Sequence, residues 1–77
     1  MTNYQFTVVI ELDEEGYHAF VPLLPGCHSI GRTVDEARSK ITEAIELHVE
    51  GLLQDGEAVP VEREPLLITR LSVPVAI

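Results

Sequence analysis

The single cysteine of the chain, Cys27, stands beside His28 in the stretch LPGCHSIGRT, residues 23–32. A cysteine nucleophile needs its thiolate, made by a nearby base or a positive environment, and a further group to orient that base. If this stretch is a strand, neighbours in sequence point to opposite faces, so the adjacency of Cys27 and His28 favours no dyad. Only a tight turn at Gly26 would bring them together. The formal net charge of −8 also works against a thiolate by raising its pKa. The competing reading makes Cys27 a small buried hydrophobe at a bend.

Metal binding is the second chemistry these residues allow. His18, His28 and Cys27 could meet across paired strands, and two imidazoles with a thiolate suit zinc. No CxxC or HxxxH spacing supports such a site. His48 falls on the apolar stripe of a helix, seven residues after Ile41 and four before Leu52. A histidine there reads as a packing residue with its polar tip at the rim. The carboxylates Asp13, Glu14 and Glu15 sit together in a loop. Two-metal nuclease chemistry needs acids converging from strands and a helix. Glu11 and Glu43 are candidates for that, yet nothing distinguishes them from solvated acids. Gly26 and Gly31 stand alone and make no phosphate cradle. By elimination, the residues assemble no catalytic site, no cofactor site and no metal site.

The elements that would position these groups are legible in the spacing. Tyr4–Leu12, YQFTVVIEL, alternates Tyr4, Phe6, Val8, Ile10 and Leu12 with Gln5, Thr7, Val9 and Glu11, which predicts a strand. Asp13–Gly16 is a hairpin loop with Gly16 at a positive φ. Tyr17–Leu23 alternates again, with Tyr17, Ala19, Val21 and Leu23 on one face and His18, Phe20 and Pro22 on the other. Pro22 and Pro25 cannot donate to a ladder, so this strand ends at an edge or leaves the sheet. Pro25-Gly26 marks a turn, and Cys27–Ile30 reads as a short third strand closed by Gly31.

The helix is the clearest element. Thr33 is a good N-cap and Glu36 three residues later completes a T-x-x-E capping box. Asp35 and Glu36 place negative charge where the helix dipole favours it. Val34, Ala37, Ile41, Ala44, Ile45, Val49 and Leu52 form one apolar stripe, with Glu43, Glu46 and Glu50 off it. The helix should reach about Gln54 and stop at Gly56, with Gly51 weakening its last turn. Leu66–Val73, LLITRLSV, reads as a fourth strand. The order is therefore β-β-β-α-β, an α+β class domain made of an antiparallel sheet with one helix on one face. Val9 and Phe20 lie on the sheet face that a single helix leaves uncovered, which predicts a homodimer or larger homo-oligomer.

At 77 residues the chain is one domain, 1–77, close to the lower size for folding on a single core. One cysteine allows no internal disulfide. The N-terminus lacks the basic and apolar regions of a signal peptide, and no apolar run approaches the roughly 20 residues that span a bilayer. The expectation is a cytoplasmic protein. Thirteen acidic residues against five basic ones repel phosphate backbones and anionic lipid, which argues against direct nucleic-acid or membrane binding. The same surface favours a basic partner, or simply keeps a small acidic protein in solution.

The strand and hairpin YQFTVVIELDEEGYHAFVPLLPGC, then SIGRTVDEA, then ITEAIELHVEGLLQDGEAVP, resemble the HicB-like antitoxin family and its short relatives. The carrying features are the EEGY turn, the LPGC bend, G-x-T-x-x-E-A at the helix start, and the exit to Gly56 and Pro60. The resemblance covers residues 4–60 and implies a truncated ribonuclease-H-like (HicB-like) fold without the carboxylates of true ribonucleases H. It implies an antitoxin of a toxin-antitoxin system that acts by protein-protein interaction. Its partner would be a small basic ribonuclease toxin of HicA type, an mRNA-cleaving protein whose active surface it covers. Family positions Gly16, Pro25, Gly26, Gly31, Thr33, Glu36 and Ala37 look structural. Many such antitoxins carry a C-terminal DNA-binding segment; LLITRLSVPVAI has one basic residue, Arg70, so operator binding is not expected.

The partner-binding residues favoured by this reading are Asp13, Glu14 and Glu15 of the hairpin with Glu43, Glu46 and Glu50 of the helix. Two alternatives stand beside it. One is an orphan oligomeric domain without a toxin. The other is a small enzyme dependent on Cys27 and His28 or on a metal.

Overall fold

The computed structural model describes residues 2–63 and 67–76. Three strands form an antiparallel sheet in the order β1-β2-β3: β1 is Val9–Leu12, β2 is Tyr17–Phe20 and β3 is His28–Gly31. One helix follows, α1, Val34–Gln54. The α+β class expected from the sequence is correct.

Each connection has a local cause. Between β1 and β2, Asp13 and Gly16 exchange backbone hydrogen bonds, and the Asp13 Oδ1 accepts from the amides of Glu15 (2.8 Å) and Gly16 (3.1 Å). This is an Asx turn, and Gly16 completes it at φ +140°. Between β2 and β3 the chain makes two successive turns. Leu24 N–H donates to the Val21 carbonyl, Cys27 N–H to the Leu24 carbonyl, and Val21 N–H to the Cys27 carbonyl. Pro25 and Gly26 occupy the central positions of the second turn, with Gly26 at φ +84°, as a type II turn requires.

The strands are shorter than the alternation predicts. The first, expected over Tyr4–Leu12, pairs only from Val9, because its partner ends at Phe20. The second, expected to Leu23, stops there because Val21 already begins the turn containing Pro22. The third begins at His28 and ends at Gly31, one residue later than expected at each end.

The fourth strand is a correction. Leu66 lies outside the described residues, and residues 67–76 form no strand. A period-2 pattern becomes a strand only against a partner edge, and no backbone hydrogen bond ties these residues to the rest of the described chain. The observed order among the described residues is β-β-β-α.

α1 starts and stops where its caps dictate. Glu36 N–H donates to the Thr33 Oγ1 at 3.0 Å. The reciprocal half of the expected capping box is displaced by one residue: the Glu36 carboxylate accepts from Arg32 N–H at 3.4 Å. At the other end Gly56, at φ +71°, donates to the Leu53 carbonyl while Glu57 donates to that of Leu52, a Schellman motif. The helix runs unbroken through Gly51 to Gln54, so the expected weakening there does not end it early.

α1 lies across β2 and β3. Ala19, Val21, Leu24, Cys27, Ala37 and Ile41 make the buried cluster, flanked by half-buried Phe6, Val8, Ile10, Tyr17, Leu23, Ala44 and Ile45. Val49 is also buried, whereas Val34, the first residue of the stripe, is exposed. No polar or charged residue is buried among the described residues.

Candidate partner-binding surface

Cys27 and His28 diverge. Cys27 is buried beside Leu24 in the core cluster, whereas His28 begins β3 on the opposite, helix-free face. Burial pushes the Cys27 thiol above its ordinary pKa, so at neutral pH it is a protonated thiol and a poor nucleophile. The charge argument made from the sequence reached the same direction, but the cause is desolvation. The LPGC stretch is a bend that buries its cysteine.

His28 has a different neighbour. The register pairs Phe20 with His28 and His18 with Ile30, so all four share the uncovered face with Val9 and Glu11 of β1. The His18 and His28 rings lie 5.4 Å apart between centroids, inclined at 62°, and Phe20 lies 6.1 Å from His18. The sequence placed His18, Phe20 and Val9 on this side but missed the His18–His28 contact. That contact depends on the cross-strand register, which the double turn between β2 and β3 sets. Cys27 is absent from this face, so the two-histidine-plus-thiolate arrangement does not form. Among the described residues no group of three histidine, cysteine or acidic side chains is placed to hold a metal ion.

The six candidate acids are all exposed but fall into two separate groups. Asp13, Glu14 and Glu15 line an open cleft with His18, His28, Ser29 and Ile30. Glu46 and Glu50 border a different cleft, between α1 and the N-terminal segment, with Tyr4, Phe6 and Val8. Within the hairpin the roles differ: Asp13 spends its Oδ1 on the turn's own amides, which leaves Glu14 and Glu15 as the outward-facing charges. Glu43, Glu46 and Glu50, spaced by three and four, share one helix face.

The charges are segregated along the chain. Arg32, Arg38 and Lys40 sit in and just before the first turns of α1, and residues 41–62 carry six acids with no lysine or arginine. The ion pair found among the described residues, Lys40–Glu36 at 3.2 Å, belongs to the basic end. The last turn of α1 holds no basic residue, and Asp55 caps it. Helix C-termini favour cations, so this end presents negative charge where the dipole already opposes it.

Comparison with known proteins identifies the family to which this arrangement belongs. The family described as HicB_like antitoxin of bacterial toxin-antitoxin system matches residues 6–71. A UPF0150 protein of Synechocystis is 48% identical over 71 residues, 91% of this chain and 87% of that protein. A UPF0150 protein of Archaeoglobus fulgidus is 44% identical over 61 residues, covering 75% of this chain and 88% of its own. One from Helicobacter pylori is 55% identical over 47 residues, covering 61% and 65%. No solved structure matches the chain. The match spans the hairpin, the bend and the whole of α1, and the chain belongs to the HicB-like antitoxin family.

Proposed function

We propose that this protein is a non-enzymatic cytoplasmic antitoxin that binds a small basic mRNA-cleaving toxin of HicA type and covers its active surface. The observation that carries the reading is the acidic second half of α1. Glu43, Glu46 and Glu50 lie on one face of a stretch, residues 41–62, that holds no lysine or arginine, and they run toward a helix end that itself favours positive charge. A basic partner relieves that repulsion, whereas solubility alone does not require acids at this end. Family membership supplies the toxin as the partner class. The order of three antiparallel strands and a helix is consistent with the start of a ribonuclease-H-like fold. Glu14 and Glu15 form a second acidic contact, and Asp13 supports them by holding the turn.

The test is a titration of a basic toxin encoded beside this gene, read by RNA cleavage and by association rate at several salt concentrations. The wild-type chain should abolish cleavage at stoichiometric ratio. Reversing Glu43, Glu46 and Glu50 to lysine should slow association by about tenfold or more and flatten its salt dependence. A toxin that stays fully active in excess of this protein removes the reading for that pair.

A further inference from the structure

Residues 67–76 carry the features of a strand without a partner. Leu67, Thr69, Leu71, Val73 and Val75 alternate with Ile68, Arg70, Ser72, Pro74 and Ala76. Leu67 and Leu71 are 82% and 83% exposed, and Ile68, Val73 and Val75 are exposed as well. A contiguous run of exposed aliphatic side chains on one segment marks an interaction surface. The radius of gyration, 15.3 Å, exceeds the roughly 11 Å expected for a compact chain of this length, as a projecting arm requires.

The same molecule carries a backbone edge at the start of β1 that no strand pairs among the described residues. Residues 4–8 continue the alternation of β1 but lie beyond the ladder with β2. Phe6 and Val8 are half-buried against the core, and Tyr4 stacks on Phe6. The Thr7 N–H donates to the Glu62 carboxylate (2.5 Å), a side chain where a neighbouring strand would offer a carbonyl.

Charge selects the occupant. Residues 4–12 carry Glu11 as their one charged side chain and residues 67–76 carry Arg70 alone, in a chain of net charge −8. Two copies can join through these two segments without setting acid against acid. A basic toxin, by contrast, is drawn to the acidic half of α1. A two-fold arrangement lets each copy give its arm and receive the other's.

We infer that residues 67–75 are an exchanged arm: in a homodimer they pair as an added strand with the β1 edge, residues 4–12, of a second copy. This goes beyond the antitoxin reading and rests on it only where the toxin is assigned to the acidic half of α1.

The experiment combines light-scattering mass with amide hydrogen exchange on the full chain and on a Leu71→Glu/Val73→Glu variant, without toxin. The wild type should show twice the 8.5 kDa chain mass, with slow exchange in residues 67–75. The variant should fall to a single chain with those amides exchanging freely and its helical signal retained, because Leu71 and Val73 are exposed and belong to no core cluster among the described residues. A wild type that stays monomeric at about 100 μM overturns the inference, whether its arm is protected or not. A variant that stays dimeric overturns it too, and points to the face bearing Val9 and Phe20. Protection of the arm that appears only when toxin is added assigns the segment to the toxin instead.

Discussion

Gly31 and Ala37 touch so closely that a methyl group on Gly31 would stand 2.4 Å from the Ala37 backbone nitrogen and 2.9 Å from its Cα. The end of β3 therefore abuts the first turn of α1, backbone against backbone, and this contact sets how the helix crosses the sheet. The acidic face of α1 points outward because this junction and the buried Ile41 hold the opposite face down.

Gly31→Ala should lower stability by about 1–3 kcal/mol or more, since the clash is with backbone and not with a movable side chain. For a domain of this size each kcal/mol moves the melting temperature by roughly 4–8 °C. Gly26→Ala is the informative comparison. Nothing lies within 4 Å of its Cβ position, so its cost is confined to the φ of +84°, about 1–2 kcal/mol. Thermal melts that rank Gly26→Ala as the more damaging change would remove the close-packing account of Gly31.

The helix start offers a pH test. Thr33→Ala removes the side-chain acceptor for Glu36 N–H and should cost about 1 kcal/mol at any pH above the carboxylate range. Glu36 behaves differently. The hydrogen bond from Lys40, and then that from Arg32 N–H, hold its carboxyl below the ordinary value. A carboxylate with a depressed folded pKa stabilises above its unfolded pKa, and that contribution disappears as pH falls through the folded value. The stability gap between wild type and Glu36→Gln should therefore be small, close below about pH 4, and shrink in about 1 M salt. A gap that persists at low pH would show that Glu36 acts through packing.

Cys27 should react slowly with thiol reagents in the folded state and rapidly once denatured, because its sulfur is buried and its pKa raised. With a raised folded pKa, the native state holds its proton longer than the unfolded chain. Stability should thus decline as pH rises above about 8.5, where the unfolded thiol ionises first. Cys27→Ala should remove that part of the alkaline slope. Fast labelling of the native protein at neutral pH would contradict the burial of Cys27.

What the sequence determined by itself was local chemistry. The limits of α1 came from Thr33, Glu36 and Gly56, whose capping bonds join residues within five positions of each other. The turn at Asp13–Gly16 and the bend at Pro25-Gly26 were equally readable, because proline and glycine restrict or free the backbone at their own positions. The divergence of Cys27 and His28 was only conditional in the sequence, because a tight turn at Gly26 left their meeting open; the fold decided it by closing the turn on Cys27 and starting β3 at His28. Tertiary structure decided everything that needed a partner. β1 and β2 are shorter than their alternation because a ladder extends only as far as both strands do. The half of the capping box that reaches Arg32 instead of Thr33, and the contact between His18 and His28, depend on how neighbouring segments are placed. Leu67–Val73 carries as good a strand pattern as any other segment, yet it forms none, since periodicity specifies a surface and not the edge that must receive it.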